Sequence, residues 1–294
     1  MTKQLDNGKA FEWAVGHSLA TFGLILIEND SSKENQMRFE KVSESQKALS
    51  LKNAGLAVNH IIKLEKISQG TFHFQSDTKG QEGDVRDIVI NTDGREIGIS
   101  CKNNHFAYKH SRLSDKADFI ARWGLSEEGC SSAYFDKAKE IFGELREIKK
   151  KSSGKALWRD TNDVPGRFYW PTLDAFAAEI KRIETPEACA NFIKYLVGTR
   201  DFYKVVSKPK HVEIIGFNIN NTLKIKQLKL PSSIIDIRSK NGSQYAKTIT
   251  FNLGWEFNFR IHNASSKIEP SLKFDITATA LPPSLYQHHI SHDI

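Results

Sequence analysis

The feature that most constrains this chain is short. Two apolar arms, Asp87-Ile88-Val89-Ile90 and Arg95 to Lys102, flank the turn Asn91-Thr92-Asp93-Gly94. Asp-Gly between alternating runs is a strong hairpin signal, because a two-residue turn needs residues that tolerate positive φ. Folding about it brings Asp87 opposite Ile99–Ser100. Ser100 and Lys102 are two apart on a strand and share a face. An acid at the start of one strand therefore converges on a lysine at the end of its partner.

The remaining pattern is helical before the hairpin and strand-like at the end. Phe11, Val15, Leu19 and Phe22 recur at helical spacing within 7–22, with Glu12 beside the stripe. The polar segment 31–45 reads as the start of a second helix, and 54–67 as a further helix. Thr71 to Gln75 alternates as a strand. Helical patterns resume at 116–123, 131–149 and 172–183. Thr185-Pro186-Glu187 starts a helix, with Thr at the N-cap and Pro at the first turn, that stops at Gly198. Residues 143–170, rich in Lys, Gly, Ser and Asp, read as a surface loop. From Tyr203 the pattern is mostly strands. In Trp255–His262, Trp255, Phe257, Phe259 and Ile261 face one way and Glu256, Asn258, Arg260 and His262 the other; Leu272, Phe274 and Ile276 repeat the alternation. The class is α+β, a mixed-sheet core flanked by helices. At 294 residues, one large domain or two are expected. The division suggested is 1–200 and a β-rich, basic 201–294.

No apolar run approaches the roughly 20 residues of a membrane helix, and the first residues carry no signal-peptide core. Three cysteines, without a CxxC pair, argue against a disulfide framework or a zinc ribbon and suit a reducing cytoplasm. The formal charge is +7 and unevenly spread: −2 over residues 1–100, +4 over 101–200 and +5 over 201–294. Such asymmetry suits a polyanionic partner, although a solvated lysine-rich surface produces the same numbers.

The acid–hairpin–lysine layout resembles the core of the PD-(D/E)xK nucleases. A carboxylate there binds Mg²⁺, an ion that takes oxygen ligands, and a neighbouring lysine stabilises charge developing on the phosphate. Asp87, Ser100 and Lys102 are the candidate catalytic residues. Asp87, Asp84 and Glu12, from the preceding helix, are the candidate metal ligands. Ser100 departs from the pattern, which wants Asp or Glu there; Asp84, Glu82 or Glu12 would have to compensate. Glu96 shares Ser100's face but stands about 13 Å along the strand. Asn103 to Ser114 then packs His105, Lys109, His110 and Arg112 directly after the site, types that suit phosphate. An HNH-type nuclease using His105 and His110 is an alternative. A sequence-specific DNA-binding protein without catalysis is another, kept open by Ser100.

Longer blocks carry a closer resemblance. Gly83-Asp84-Val85-Arg86-Asp87-Ile88, Glu96-Ile97-Gly98-Ile99-Ser100 to Lys102, Asn104-His105-Phe106-Ala107, Lys109-His110-Ser111-Arg112-Leu113-Ser114, Asp201-Phe202-Tyr203-Lys204-Val205 and residues 259–275 resemble the HaeIII-type restriction endonucleases. The resemblance implies a type II restriction enzyme that cuts double-stranded DNA at GGCC with Mg²⁺. It implies a homodimer and a cognate DNA methyltransferase in the same cell. In that light 1–200 is the nuclease core and 201–294 the DNA-recognition region. Arg260, His262, Asn263 and Lys267 are candidate readers. Arg or Lys suits guanine O6 and N7, and Glu269 or Asp275 suits cytosine N4. The lysines between 204 and 247 suit the phosphate backbone. His288, His289 and His292 have metal-ligand spacing but read as a mobile tail. Trp123, Trp158 and Trp170 read as core or surface anchors.

Overall fold

The structure, a computed structural model, describes residues 2–76, 84–103, 109–239 and 243–292. In chain order the helices and strands are α1 (Thr2–Thr21), β1 (Ile25–Leu26), α2 (Asp30–Lys41), α3 (Glu44–Glu65), β2 (Thr71–Phe74), β3 (Ile88–Thr92), β4 (Arg95–Asn103), β5 (Lys109–Leu113), α4 (Phe119–Arg122), α5 (Ser132–Lys151), α6 (Trp170–Arg182), α7 (Pro186–Val197), β6 (Phe202–Ser207), β7 (His211–Phe217), β8 (Ile234–Ser239), β9 (Ala246–Phe251), β10 (Glu256–His262), β11 (Leu272–Ala280) and β12 (Tyr286–Ser291). Contacts divide the chain into two units. The first is 1–106, 198–229 and 284–294; the second is 107–197 and 230–283. Both are discontinuous, and residues 201–294 are shared between them.

The first unit is a seven-stranded mixed sheet in the order β1-β2-β3-β4-β6-β7-β12. The hairpin forms as its turn residues dictate: Asp93 and Gly94 have φ of 48° and 74°, and Ile88 pairs with Ile99 in the ladder. β6 then runs parallel to β4, with Ser100 opposite Lys204 and Lys102 opposite Val206. α1 and α3 cover one face. Phe11, Val15 and Leu19 of α1 are fully buried with Ile88, Ile90, Ile97, Ile99, Tyr203 and Val205, as the sequence spacing requires. Phe22 lies beyond the helix end and is exposed, so it does not extend the stripe. The polar segment after it is a separate helix. Asn29 caps α2 in a reciprocal pair with Ser32, and Ser43 then caps α3, which begins ten residues before the apolar pattern at Ala54.

The second unit is an antiparallel sheet in the order β5-β11-β10-β9-β8, with α4 to α7. Phe259 and Phe274 face Phe176 of α6, with ring centroids 5.2 and 5.0 Å away. Phe192 of α7 adds an edge to Phe251. The start of α7 follows its sequence signal, with Thr185 accepting from the Ala188 amide at 3.0 Å. Gly198, where α7 stops, has φ of 122°. The surface loop expected at 143–170 is not there. α5 continues to Lys151, a π-helical turn covers Pro165–Tyr169, and Trp158 and Phe168 are buried. Its polar composition conceals the few aromatics that anchor it. The region 116–123 likewise forms only the single turn of α4. His288 and His289 lie on β12, paired along β7, and the amide of His292, just after the strand, donates to the Lys210 carbonyl at 2.9 Å, so the segment is not a mobile tail.

Candidate active site

Asp87 immediately precedes β3, and its amide donates to the Ile99 carbonyl at 2.8 Å, which fixes its position in the hairpin. Its Oδ2 accepts from the Cys101 amide at 2.6 Å, from Ser100 Oγ at 3.2 Å and from Lys102 Nζ at 3.3 Å. Among the described residues Oδ1 has no hydrogen-bond donor. The three expected catalytic residues thus meet at one carboxylate, and Ser100 acts on it as a donor.

Glu12 comes to the same place from α1. It is 7% exposed, and its Oε2 accepts from Asn35 at 3.0 Å and Lys9 at 3.1 Å. Burial, then the charge of Asp87, push its pKa up to about 7, against the pull of Lys9 and Lys102. Glu12, Lys102, Cys101 and Lys9 line one pocket of about 350 Å³ at the end of β4. A wider hollow of about 700 Å³ at the Asp93-Gly94 turn contains none of these residues.

Lysine behaves differently at two neighbouring positions. Burial works against the Lys102 ammonium, but Asp87 and then Glu12 outweigh it and hold the pKa above the usual lysine value. Lys102 is therefore a fixed positive charge and not a base. Lys204, 5% exposed and opposite Ser100, is pulled down to about 8 by burial and then by Lys102. Sequence reasoning grouped Lys204 with the backbone-binding lysines. Only the parallel pairing of β4 with β6 puts it in the row of Asp87 and Ser100. Lys9 was also missed, although its i, i+3 spacing to Glu12 is a legible signal.

Asp84 is engaged elsewhere. Arg86 Nε and Nη2 donate to its two oxygens at 2.8 and 2.7 Å, and Arg86 Nη1 reaches Glu96 at 2.8 Å. The arginine stem lies across Gly98, where a Cβ would collide with it. Glu82 and His105 lie outside the described residues.

The other expected DNA-contacting residues fall on the second unit. Arg112 and Arg260 are exposed on the polar face of its sheet. The register puts Arg112, Lys273 and His262 in one row and Asp275 and Arg260 in the next. The backbone of Lys109 pairs with Ile276. His262 Nε2 stands 3.1 Å from Asp275. Asn263 Nδ2 donates to the Ser265 carbonyl at 2.7 Å, and Lys267 is exposed in the following loop.

A mixed sheet with helices packed on it, and an acid and a strand-end lysine meeting on adjacent central strands, is the α+β fold of a PD-(D/E)xK-like nuclease. The particular lineage is also clear. The chain belongs to the HaeIII restriction endonuclease family, whose model matches residues 8–282. It is similar to the type II restriction enzyme HaeIII of Haemophilus aegyptius, with 37% identity over 311 aligned positions that cover 96% of each chain. It is accordingly a type II site-specific deoxyribonuclease. No solved structure matches it, and no described helix is long and apolar enough to cross a membrane.

Proposed function

We propose that the protein hydrolyses phosphodiester bonds in double-stranded DNA at GGCC, with Mg²⁺, through the cluster at the end of β4. The observation that carries this reading is the convergence of Asp87, Lys102 and Glu12 on one pocket-lining corner. The donor set fits a hard cation. Asp87 and Glu12 each keep one carboxylate oxygen without a hydrogen-bond partner among the described residues, and oxygen ligands are what Mg²⁺ takes. These two residues would hold it. A bound ion there supplies Lewis-acid polarisation of the phosphate and a more acidic water.

The chain's own groups do the rest. Ser100 and the Cys101 amide hold the Asp87 carboxylate in place. The Lys102 ammonium offers its remaining protons to the attacking water and to the crowded phosphorus centre. Lys204 adds a second positive charge in the same strand row. Asp84 serves through Arg86, which braces the segment leading into Asp87. Arg112, Lys109, Arg260, His262, Asn263 and Lys267, with His105, contact the duplex, and Arg260 and Lys267 have the chemistry for guanine.

GGCC rests on the family likeness, as do the homodimer and the cognate methyltransferase. A reducing cytoplasm suits the three cysteines, which are all free. The test is cleavage of DNA carrying GGCC, with matched DNA altered at one base. Discrete fragments that need GGCC and vanish with EDTA are expected. Binding without cleavage, cleavage indifferent to the altered base, or full cutting in EDTA overturns the proposal.

A further inference from the structure

The C-terminal strand carries His288 and His289, and His292 follows it directly; the active site uses none of the three. Strand alternation separates them. His288 stacks on His60, with centroids 4.0 Å apart. His292 Nε2 contacts Asn53 Oδ1 at 2.6 Å. His289 alone points the other way, and in the ladder it stands directly opposite Glu213 of β7. His211 lies two residues before Glu213 on the same face, with its Nε2 3.0 Å from Glu213 Oε1. The ligand atoms of His211, Glu213 and His289 all lie within 4.8 Å of one another.

We propose that these three side chains bind a single borderline transition ion, zinc(II) in the first instance, and so clasp β12 to β7. The donor set is two imidazoles and one carboxylate. That combination suits zinc and its neighbours and is a poor match for Mg²⁺, which prefers oxygen. Ligand atoms on a tetrahedral zinc stand about 3.4 Å apart, given bonds of ~2.0–2.2 Å. The observed spread of up to 4.8 Å exceeds that by about 1.4 Å at most, a gap that side-chain rotation has to close. All three residues are at least partly exposed, so an ion can reach them and water can fill the fourth position. The location gives the clasp a purpose. β12 is the edge strand of its sheet and pairs there with β7, while His288 and His292 lie against α3 on the other face. An ion shared between the two strands ties the edge on the face opposite α3.

The site is separate from the Asp87 cluster, so its test is made in protein whose cluster is disabled. Cobalt(II) is added to untagged, metal-free, full-length protein carrying Asp87→Asn. Visible d–d absorption should appear, saturate at one equivalent and vanish as zinc(II) displaces the cobalt. His211→Ala and His289→Ala should each weaken that binding at least tenfold, while His288→Ala, on the opposite face, leaves it intact. Zinc should raise the unfolding temperature of the parent and of His288→Ala but not of His289→Ala. Absence of saturable binding, or binding that survives both His211→Ala and His289→Ala, overturns the proposal.

Discussion

Replacing Glu12 by Gln should stabilise the metal-free protein at alkaline pH and do much less in acid. The reasoning starts from the buried carboxyl, whose pKa in the fold is about 7 against an ordinary 4.5. A raised acid binds its proton more tightly folded than unfolded. Its cost to stability is therefore small below pH 4.5 and grows as pH rises through about 7. At about 1.4 kcal/mol per pKa unit, ionised Glu12 costs about 3 kcal/mol at pH 8 and under about 1 kcal/mol at pH 5. Glutamine resembles the protonated carboxyl and keeps an acceptor for Asn35 and Lys9, and the pull of Lys9 on the ionised form is already contained in the raised pKa. The net expectation is a gain of about 3 kcal/mol at pH 8 and under about 1 kcal/mol at pH 5. The assay is urea unfolding in EDTA at both pH values, followed through amide exchange in α1, since two contact units need not unfold together. Equal effects at the two pH values, or destabilisation at pH 8, would refute the account. The stabilised variant should also cut DNA poorly, because the unfavourable charge is the one a cation needs.

Three further outcomes follow from the same geometry. Asp87→Ala and Lys102→Ala should each lower cleavage by about 10²–10³-fold or more while DNA binding persists; Ser100→Ala, losing one 3.2 Å donor to Asp87, should fall less than about tenfold. Near-full activity in Lys102→Ala, measured on a GGCC duplex, would remove it from the chemistry. Gly98→Ala should displace Arg86 from Asp84 and Glu96 and destabilise the first unit by about 1–3 kcal/mol, read by urea unfolding. Arg260→Ala should cost about 1–3 kcal/mol in binding GGCC and relax discrimination at one base pair, whereas Lys109→Ala, in the phosphate-contacting group, should weaken all sequences alike and flatten the salt dependence, both measurable by titration at several salt concentrations.

What the amino-acid order alone determined was local. Asp93-Gly94 set the hairpin, and the period of two placed Ser100 beside Lys102 on one face. The period of 3.6 buried Phe11, Val15 and Leu19 and brought Glu12 to the edge of that stripe. Each of these needs only neighbours within a turn or a strand, so pattern is enough. The polar stretch 143–170 misled because composition does not reveal that large apolar side chains within it, Leu145, Trp158, Phe168 and Tyr169, are buried. What only the tertiary structure decided was non-local. Lys204 joins Asp87 because β6 pairs with β4 in parallel, after an excursion of nearly one hundred residues through the other unit. Asp84 turns away because Arg86 claims it, and Glu213 meets His289 because the last strand returns to β7. Registers between distant strands are set by the packing of the whole sheet, and no short window of sequence contains them.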